Sequence, residues 1–184
     1  ECVTANGGQS YRTPNLDRLA GAGVRFEHCH VQPLCTPTRV QLISGVDAFR
    51  SLAMNVSSGR SLLRRDLPTM GQLFANAGYA TGIFGKWGLG YIDTEGDPNS
   101  QGFDEFYGYN CQSLAHNYYP YYLWHNHEKI MIPENEGTLT GVYAPDMIHK
   151  AAMNFIEKNR SVPFFLFYPT TIPHAELLAR EENM

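Results

Sequence analysis

The sequence predicts an α/β fold, a mostly parallel sheet flanked by helices, and three observations carry that expectation. A helical pattern from Pro145 to Asn159 runs into the apolar stretch Pro163-Phe-Phe-Leu-Phe-Tyr168, and a second from Leu67 to Ala77 runs into Tyr79-Ala-Thr-Gly-Ile-Phe84. Helix followed by strand, twice, is the repeating unit of α/β proteins. The stretch from Pro163 has no polar alternation, as expected of a strand whose sheet is covered on both faces.

Taken in chain order, Thr13-Pro-Asn-Leu-Asp-Arg-Leu-Ala20 reads as a short helix, with Thr13 as cap, Pro14 in the first turn, and Gly21 and Gly23 as stop signals. Val24 to Val31 alternates as a strand would, with His28 and His30 on one face and Cys29 on the other. Cys35 to Ser44 is a helix with Pro37 near its start and Gly45 after its end. The helix from Leu67 takes Asp66 as its cap and Gly78 as its stop. From Gly90 to Gly141 the chain is rich in Gly, Asn, Tyr and Pro and reads as loops with short strands at Phe103 to Tyr107 and Tyr121 to Trp124. In the helix from Pro145, residues Met147, Ile148, Ala151, Ala152, Phe155 and Ile156 recur at helical spacing and form its apolar stripe.

The 184 residues are 43% hydrophobic, 17% charged and 12% aromatic, with 14 basic and 18 acidic side chains and a formal net charge of -4. No block of Lys or Arg is present to neutralise a row of phosphates, which argues against nucleic-acid binding. No apolar run approaches the length of a membrane span. The four cysteines, Cys2, Cys29, Cys35 and Cys111, have no metal-ribbon or disulfide-framework spacing and read as free thiols. Tyr118, Tyr119, Tyr121, Tyr122 and Trp124 are either a packed aromatic loop, the commoner arrangement, or a wall on which a sugar could stack.

Chemistry concentrates at Cys35. A thiol at a helix start feels unpaired backbone N–H groups and the positive end of the dipole, and Arg39 lies one turn on along the same face. Cysteine, helix terminus and guanidinium together describe an anion site beside a potential nucleophile. Taken alone, the segment reads as an ordinary capped helix with a buried cysteine.

Pro33-Leu-Cys-Thr-Pro-Thr-Arg-Val-Gln-Leu-Ile-Ser-Gly45 resembles the first signature of the type I, formylglycine-dependent sulfatases of the alkaline phosphatase superfamily, with Ser44 where Thr is usual. Gly78-Tyr-Ala-Thr-Gly-Ile-Phe-Gly-Lys-Trp-Gly-Leu-Gly90 is similar to the second signature. Thr13 to Ala20, Gln101-Gly-Phe-Asp-Glu-Phe-Tyr-Gly108, and Pro163 to Leu166 followed by Pro173-His174 match family segments in the same order.

The resemblance implies a sulfuric ester hydrolase of bacterial type, acting on a sulfated carbohydrate or an aryl sulfate. It implies that a formylglycine-generating maturation enzyme oxidises Cys35 to an aldehyde whose hydrate is a geminal diol. One hydroxyl attacks sulfur and releases the alcohol; deprotonation of the second expels sulfate and restores the aldehyde, an exit closed to an ordinary serine or cysteine. It further implies one calcium ion bound by the group at residue 35, Arg39 holding the diol, Lys86 on the sulfate, and His174 as general acid near the leaving oxygen.

Two departures follow. The second signature usually has a histidine two residues after its lysine, where this chain has Gly88; His116, in Ala115-His-Asn-Tyr-Tyr-Pro120, is the replacement expected at the diol or sulfate, or else a residue that pins the aromatic loop. The calcium-binding Asp-Asp pair of the family's first strand and a later Asp-Asn pair have no counterpart, and Asp47, Asp93, Asp97 and Asp104 are not at matching positions. Residues 1–184 are therefore expected to be a partial N-terminal catalytic domain, incomplete in its sheet and metal ligands, from a periplasmic or secreted enzyme. The competing expectations are a phosphate or phosphonate ester hydrolase of the same superfamily, and a non-catalytic fragment of a sulfatase.

Overall fold

The computed structural model describes residues 2–54 and 63–174. The chain divides into two compact units, one ending at Val31 and the other beginning at Gln32. In the first, a 3-10 turn at Thr4–Asn6 accompanies helix α1, Pro14–Ala22. Thr13 stands at the N-cap position, but its hydroxyl is bonded to Thr4 Oγ1 at 2.5 Å and to the Asp17 carboxylate at 3.4 Å, and does not cap the backbone. The strand expected from Val24 is not formed. Residues 24–31 are irregular and exposed, because alternation produces a strand only where a neighbour supplies the ladder hydrogen bonds, and the described residues of this unit contain none.

The second unit holds helices α2 (Cys35–Ser44), α3 (Ala48–Ser51), α4 (Met70–Asn76) and α5 (Ala144–Asn159). Its strands are β1 (Ala80–Lys86), β2 (Glu105–Tyr109), β3 (Tyr122–His125), β4 (Glu128–Met131) and β5 (Phe164–Phe167). They form one sheet in the order β4-β3-β2-β1-β5. β1 pairs in parallel with both β2 and β5, with Ile83 opposite Phe106 and Phe167, whereas β3 and β4 extend the β2 edge as an antiparallel hairpin. The hairpin turns at Asn126, whose φ of 51° is left-handed, a conformation Asn tolerates better than most residues.

Helices cover both faces of the three parallel strands, and side chains alternate between them. Ile83, Phe106, Phe165 and Phe167 pack with Val40 and Ile43 of α2 and Met70 of α4; Phe84, Tyr109, Phe164 and Leu166 pack with Ile148, Ala152 and Phe155 of α5. Phe74 of α4 stacks on Phe165 at 4.1 Å between centroids. The stripe read in the last helix is the one that is buried, with Ile148, Ala152 and Phe155 inward. β5, expected to be covered on both faces, is half-buried, since β1 is its sole neighbour among the described strands.

Two further elements differ from their sequence readings. α4 begins three residues later than expected, because Thr69 is its cap, accepting a hydrogen bond from Gln72 N at 3.2 Å, while Asp66 is taken up by Arg64 at 2.9 and 3.1 Å. The aromatic segment is not a single wall. Tyr118 is buried, and the Lys129 ammonium lies over the rings of Tyr122 and Trp124 at 4.5 and 5.3 Å.

Candidate active site

The candidate residues lie at or beyond the C-terminal ends of β1, β2 and β5 and at the N-terminus of α2, where open α/β sheets place their sites. Cys35 is the first residue of α2 and is half-buried. Lys86 is the last residue of β1 and only 6% exposed; its ammonium is close enough to Cys35 and Cys111 to feel both. Burial lowers the Lys86 pKa below the ordinary 10.5 and the Arg39 charge lowers it further, against the opposing influence of Cys35.

Arg39 is half-buried as a whole, but its guanidinium is far enough from water that burial lowers its pKa to about 10. Nε donates to Trp87 O at 3.1 Å and Nη2 to Lys86 O. Arg39 thus grips the backbone that carries Lys86, and it also feels Cys35. Arg39 remains charged at neutral pH and, with Lys86, makes the surroundings of Cys35 positive.

A residue missed in the sequence completes this shell. Cys35 Sγ donates to Gln112 Oε1 at 3.4 Å, while Gln112 Nε2 donates to Thr36 Oγ1 at 2.7 Å and to Gly88 O at 3.1 Å. Gly88 has φ +69°, and a Cβ there would lie 2.6 to 2.8 Å from three atoms of the Gln112 side chain. The absence of a side chain at residue 88 was the available signal, since a glycine at a crowded site marks where another group approaches closely.

His116 and His174 come from opposite ends of the chain's second half and meet. Their rings stack at 4.0 Å between centroids and 19° between planes. His116 closes the 3-10 turn Leu114–His116 in the loop after β2, the same loop that brings Gln112 to Cys35. His174 follows β5. Its backbone N donates to Tyr118 Oη at 2.7 Å, and that hydroxyl donates to Thr171 O at 3.0 Å. Tyr109 Oη in turn donates to Asn117 O at 2.8 Å, and burial raises the Tyr109 pKa far above the ordinary phenol value. The segment after β5 lies close against the sheet because Gly85, at φ +133°, admits Pro169 O to 2.3 Å from where a Cβ would be.

The sulfatase family model matches residues 2–182. The chain belongs to the sulfatase family. An N-acetylglucosamine-6-O-sulfatase of Bacteroides thetaiotaomicron is 30% identical over 95% of this chain and 28% of its own length. Arylsulfatase J of Mus musculus is 29% identical over 94% of this chain and 30% of its own, and human N-acetylgalactosamine-6-sulfatase is 29% identical over 94% and 37%. The chain thus spans about a third of the length of these curated sulfatases. Among solved structures, a protein in complex with its substrate D-glucosamine-2-N,6-O-disulfate superposes over 94% of this chain and 32% of its own, with a TM-score of 0.74 and 28% identity. Ps i-CgsB superposes over 98% and 44%, with a TM-score of 0.79 and 27% identity.

Family membership agrees with the resemblance drawn from the two signature segments, which form α2 and β1 with its following turn. For the expected calcium ion the residues do not suffice. Among the described residues no group of three or more His, Cys, Asp or Glu is placed to hold a metal, including the exposed His28-Cys29-His30 run. No helix among them is long and apolar enough to cross a membrane.

Proposed function

We propose that this chain carries the nucleophile side of a sulfate-ester hydrolase site, with residue 35 as nucleophile. The observation that carries the reading is the convergence on Cys35 of Lys86, the α2 N-terminus and Gln112, with Arg39 locked beneath them. Converted to formylglycine and hydrated, residue 35 would supply one hydroxyl to attack sulfur and a second to release the bound sulfate.

The chain's own residues divide the remaining work. Lys86 holds a sulfate oxygen as a compact cation, and the first N–H groups of α2 point toward the same negative charge. Arg39 keeps Lys86 and Trp87 in place and adds to the positive field. His174 is assigned the proton that must reach the leaving alcohol oxygen; its Nδ1 is buried and lacks a hydrogen-bond partner among the described residues. His116 supports the ring of His174 by stacking and is assigned the proton of the second diol hydroxyl, whose loss expels sulfate and restores the aldehyde. Calcium would need donors beyond the described residues, and no step here depends on it.

A sulfated carbohydrate is the favoured substrate class, on the names of the bacterial N-acetylglucosamine sulfatase and of the complex with the glucosamine disulfate. The whole domain would then be longer than residues 1–184, and the compartment periplasmic or extracellular. The test is co-expression with a formylglycine-generating enzyme, mass measurement of the Cys35 peptide, and paired assay on an aryl sulfate and the matching aryl phosphate. An aldehyde with sulfate preference is expected. Intact thiol, or faster phosphate hydrolysis, refutes the reading.

A further inference from the structure

We propose that Gln112 is the positioning residue for the group at residue 35, doing so through the space that Gly88 leaves open. The inference rests on the reading of residue 35 as nucleophile given above. The amide can take only one orientation. Gly88 O is an acceptor with no proton to give, so the end of the amide facing it must be nitrogen. Both Nε2 protons are then accounted for, by Gly88 O and Thr36 Oγ1, and Oε1 is left pointing at Cys35 Sγ. A group anchored by two donors presents its acceptor at a fixed place. With a hydroxyl at residue 35 in place of the thiol, that acceptor receives the O–H and sets the direction of the oxygen lone pairs that attack.

An amide oxygen is far too weakly basic to take the proton away, so Gln112 orients the nucleophile and does not act as a base. Proton removal falls to another group, and His116, stacked on His174, is carried by the same loop as Gln112. The arrangement also explains why residue 88 is glycine. Any Cβ there lies 2.6 Å from Gln112 Cδ, and the left-handed φ is costly for other residues. A side chain at residue 88 and Gln112 in this position are mutually exclusive.

The experiment compares Gln112→Leu, Gly88→Ala and the double variant in the protein matured with the formylglycine-generating enzyme. Rates on an aryl sulfate are normalised to the converted fraction of residue 35, read by peptide mass. Loss of one orienting hydrogen bond is expected to lower kcat about 10-fold with KM nearly unchanged, because Gln112 touches the nucleophile and not the substrate. Gly88→Ala should lower kcat similarly by pushing Gln112 aside, and the double variant should be no worse than the poorer single one. As a readout apart from activity, 13C NMR of protein labelled at the cysteine Cβ should show less diol and more aldehyde in Gln112→Leu. Urea denaturation identifies any variant that fails to fold, and Gln112→Asn, which retains the amide but shortens the reach, then takes its place with the same expected loss.

A Gln112→Leu variant with wild-type kcat and an unchanged diol fraction overturns the proposal, as do single losses that multiply in the double variant. Failure of the underlying reading looks different: wild-type residue 35 stays a thiol, or the matured wild type does not cleave the sulfate, and the positioning role falls with it.

Discussion

Replacing Tyr118 by Phe isolates the contact that seats His174. The ring is 1% exposed, and its hydroxyl accepts from His174 N at 2.7 Å and donates to Thr171 O at 3.0 Å. Deleting that oxygen leaves an amide and a carbonyl without their partner while preserving the apolar packing of the ring. Each such loss costs about 1–3 kcal/mol when the site cannot relax. Here Ile172 and Pro173 are exposed, so the segment can shift toward water and the combined cost falls to about 2 kcal/mol, a roughly 30-fold rise in local opening. β5 keeps its ladder with β1, and Lys86 N keeps Pro169 O at 3.0 Å, so the effect is confined to residues 170–174. Hydrogen exchange read by mass spectrometry should show faster exchange in peptides covering 170–174 and unchanged protection over Ala80–Lys86. Unchanged exchange in both, or equal acceleration in both, would refute the assignment of Tyr118 as a local anchor. In the matured enzyme kcat should fall with the loss of His174 placement.

Gly85→Ala should destabilise the chain by about 3 kcal/mol or more, since its Cβ would meet Pro169 O at 2.3 Å on a left-handed backbone; a wild-type urea midpoint would contradict this. Lys86→Met should abolish sulfate hydrolysis yet leave the urea midpoint unchanged or higher, because the buried ammonium opposes folding. The sign follows from the lowered Lys86 pKa: the penalty is complete below the folded pKa and is released as pH rises from there to 10.5, where the unfolded chain binds more protons than the folded one. Activity should be lost over the same alkaline interval as the ammonium deprotonates, and a pH–rate profile whose alkaline limb reaches as high in wild type as an ordinary lysine would argue against this role. Arg39→Lys should cost about 1–3 kcal/mol and at least about 10-fold in kcat, because one ammonium cannot reproduce the two directed bonds to Lys86 O and Trp87 O; stability and rate equal to wild type would show the fork to be dispensable. Phe155→Ala should cost about 3–5 kcal/mol by emptying the space under Gly82, with kcat little changed in the folded fraction, measured by denaturation and assay together.

The helices and parallel strands were legible because their signals are local. Pro14, Pro37 and Pro145 stand in or near first turns, Gly45 ends α2 in a left-handed conformation at φ +69°, and the apolar spacing of α5 matches its buried face. Where a partner decided the outcome, local signals misled. Val24 to Val31 alternates without becoming a strand, and β4 was unread because Glu128–Met131 is half charged and owes its place to the turn after β3. Thr69 took the cap expected of Asp66 because Arg64 holds that carboxylate.

At the site, the sequence by itself determined the family, and motif and order named Cys35, Arg39, Lys86, His116 and His174 as candidates. Tertiary structure decided what each touches. It set Arg39 on two backbone carbonyls, stacked His116 on His174, and brought Gln112 across 77 residues of sequence to the sulfur of Cys35. A motif records which side chains a short stretch of backbone can offer. Direction, burial and the identity of a partner far along the chain depend on how β1, β2 and α2 pack, and those are properties of the folded core.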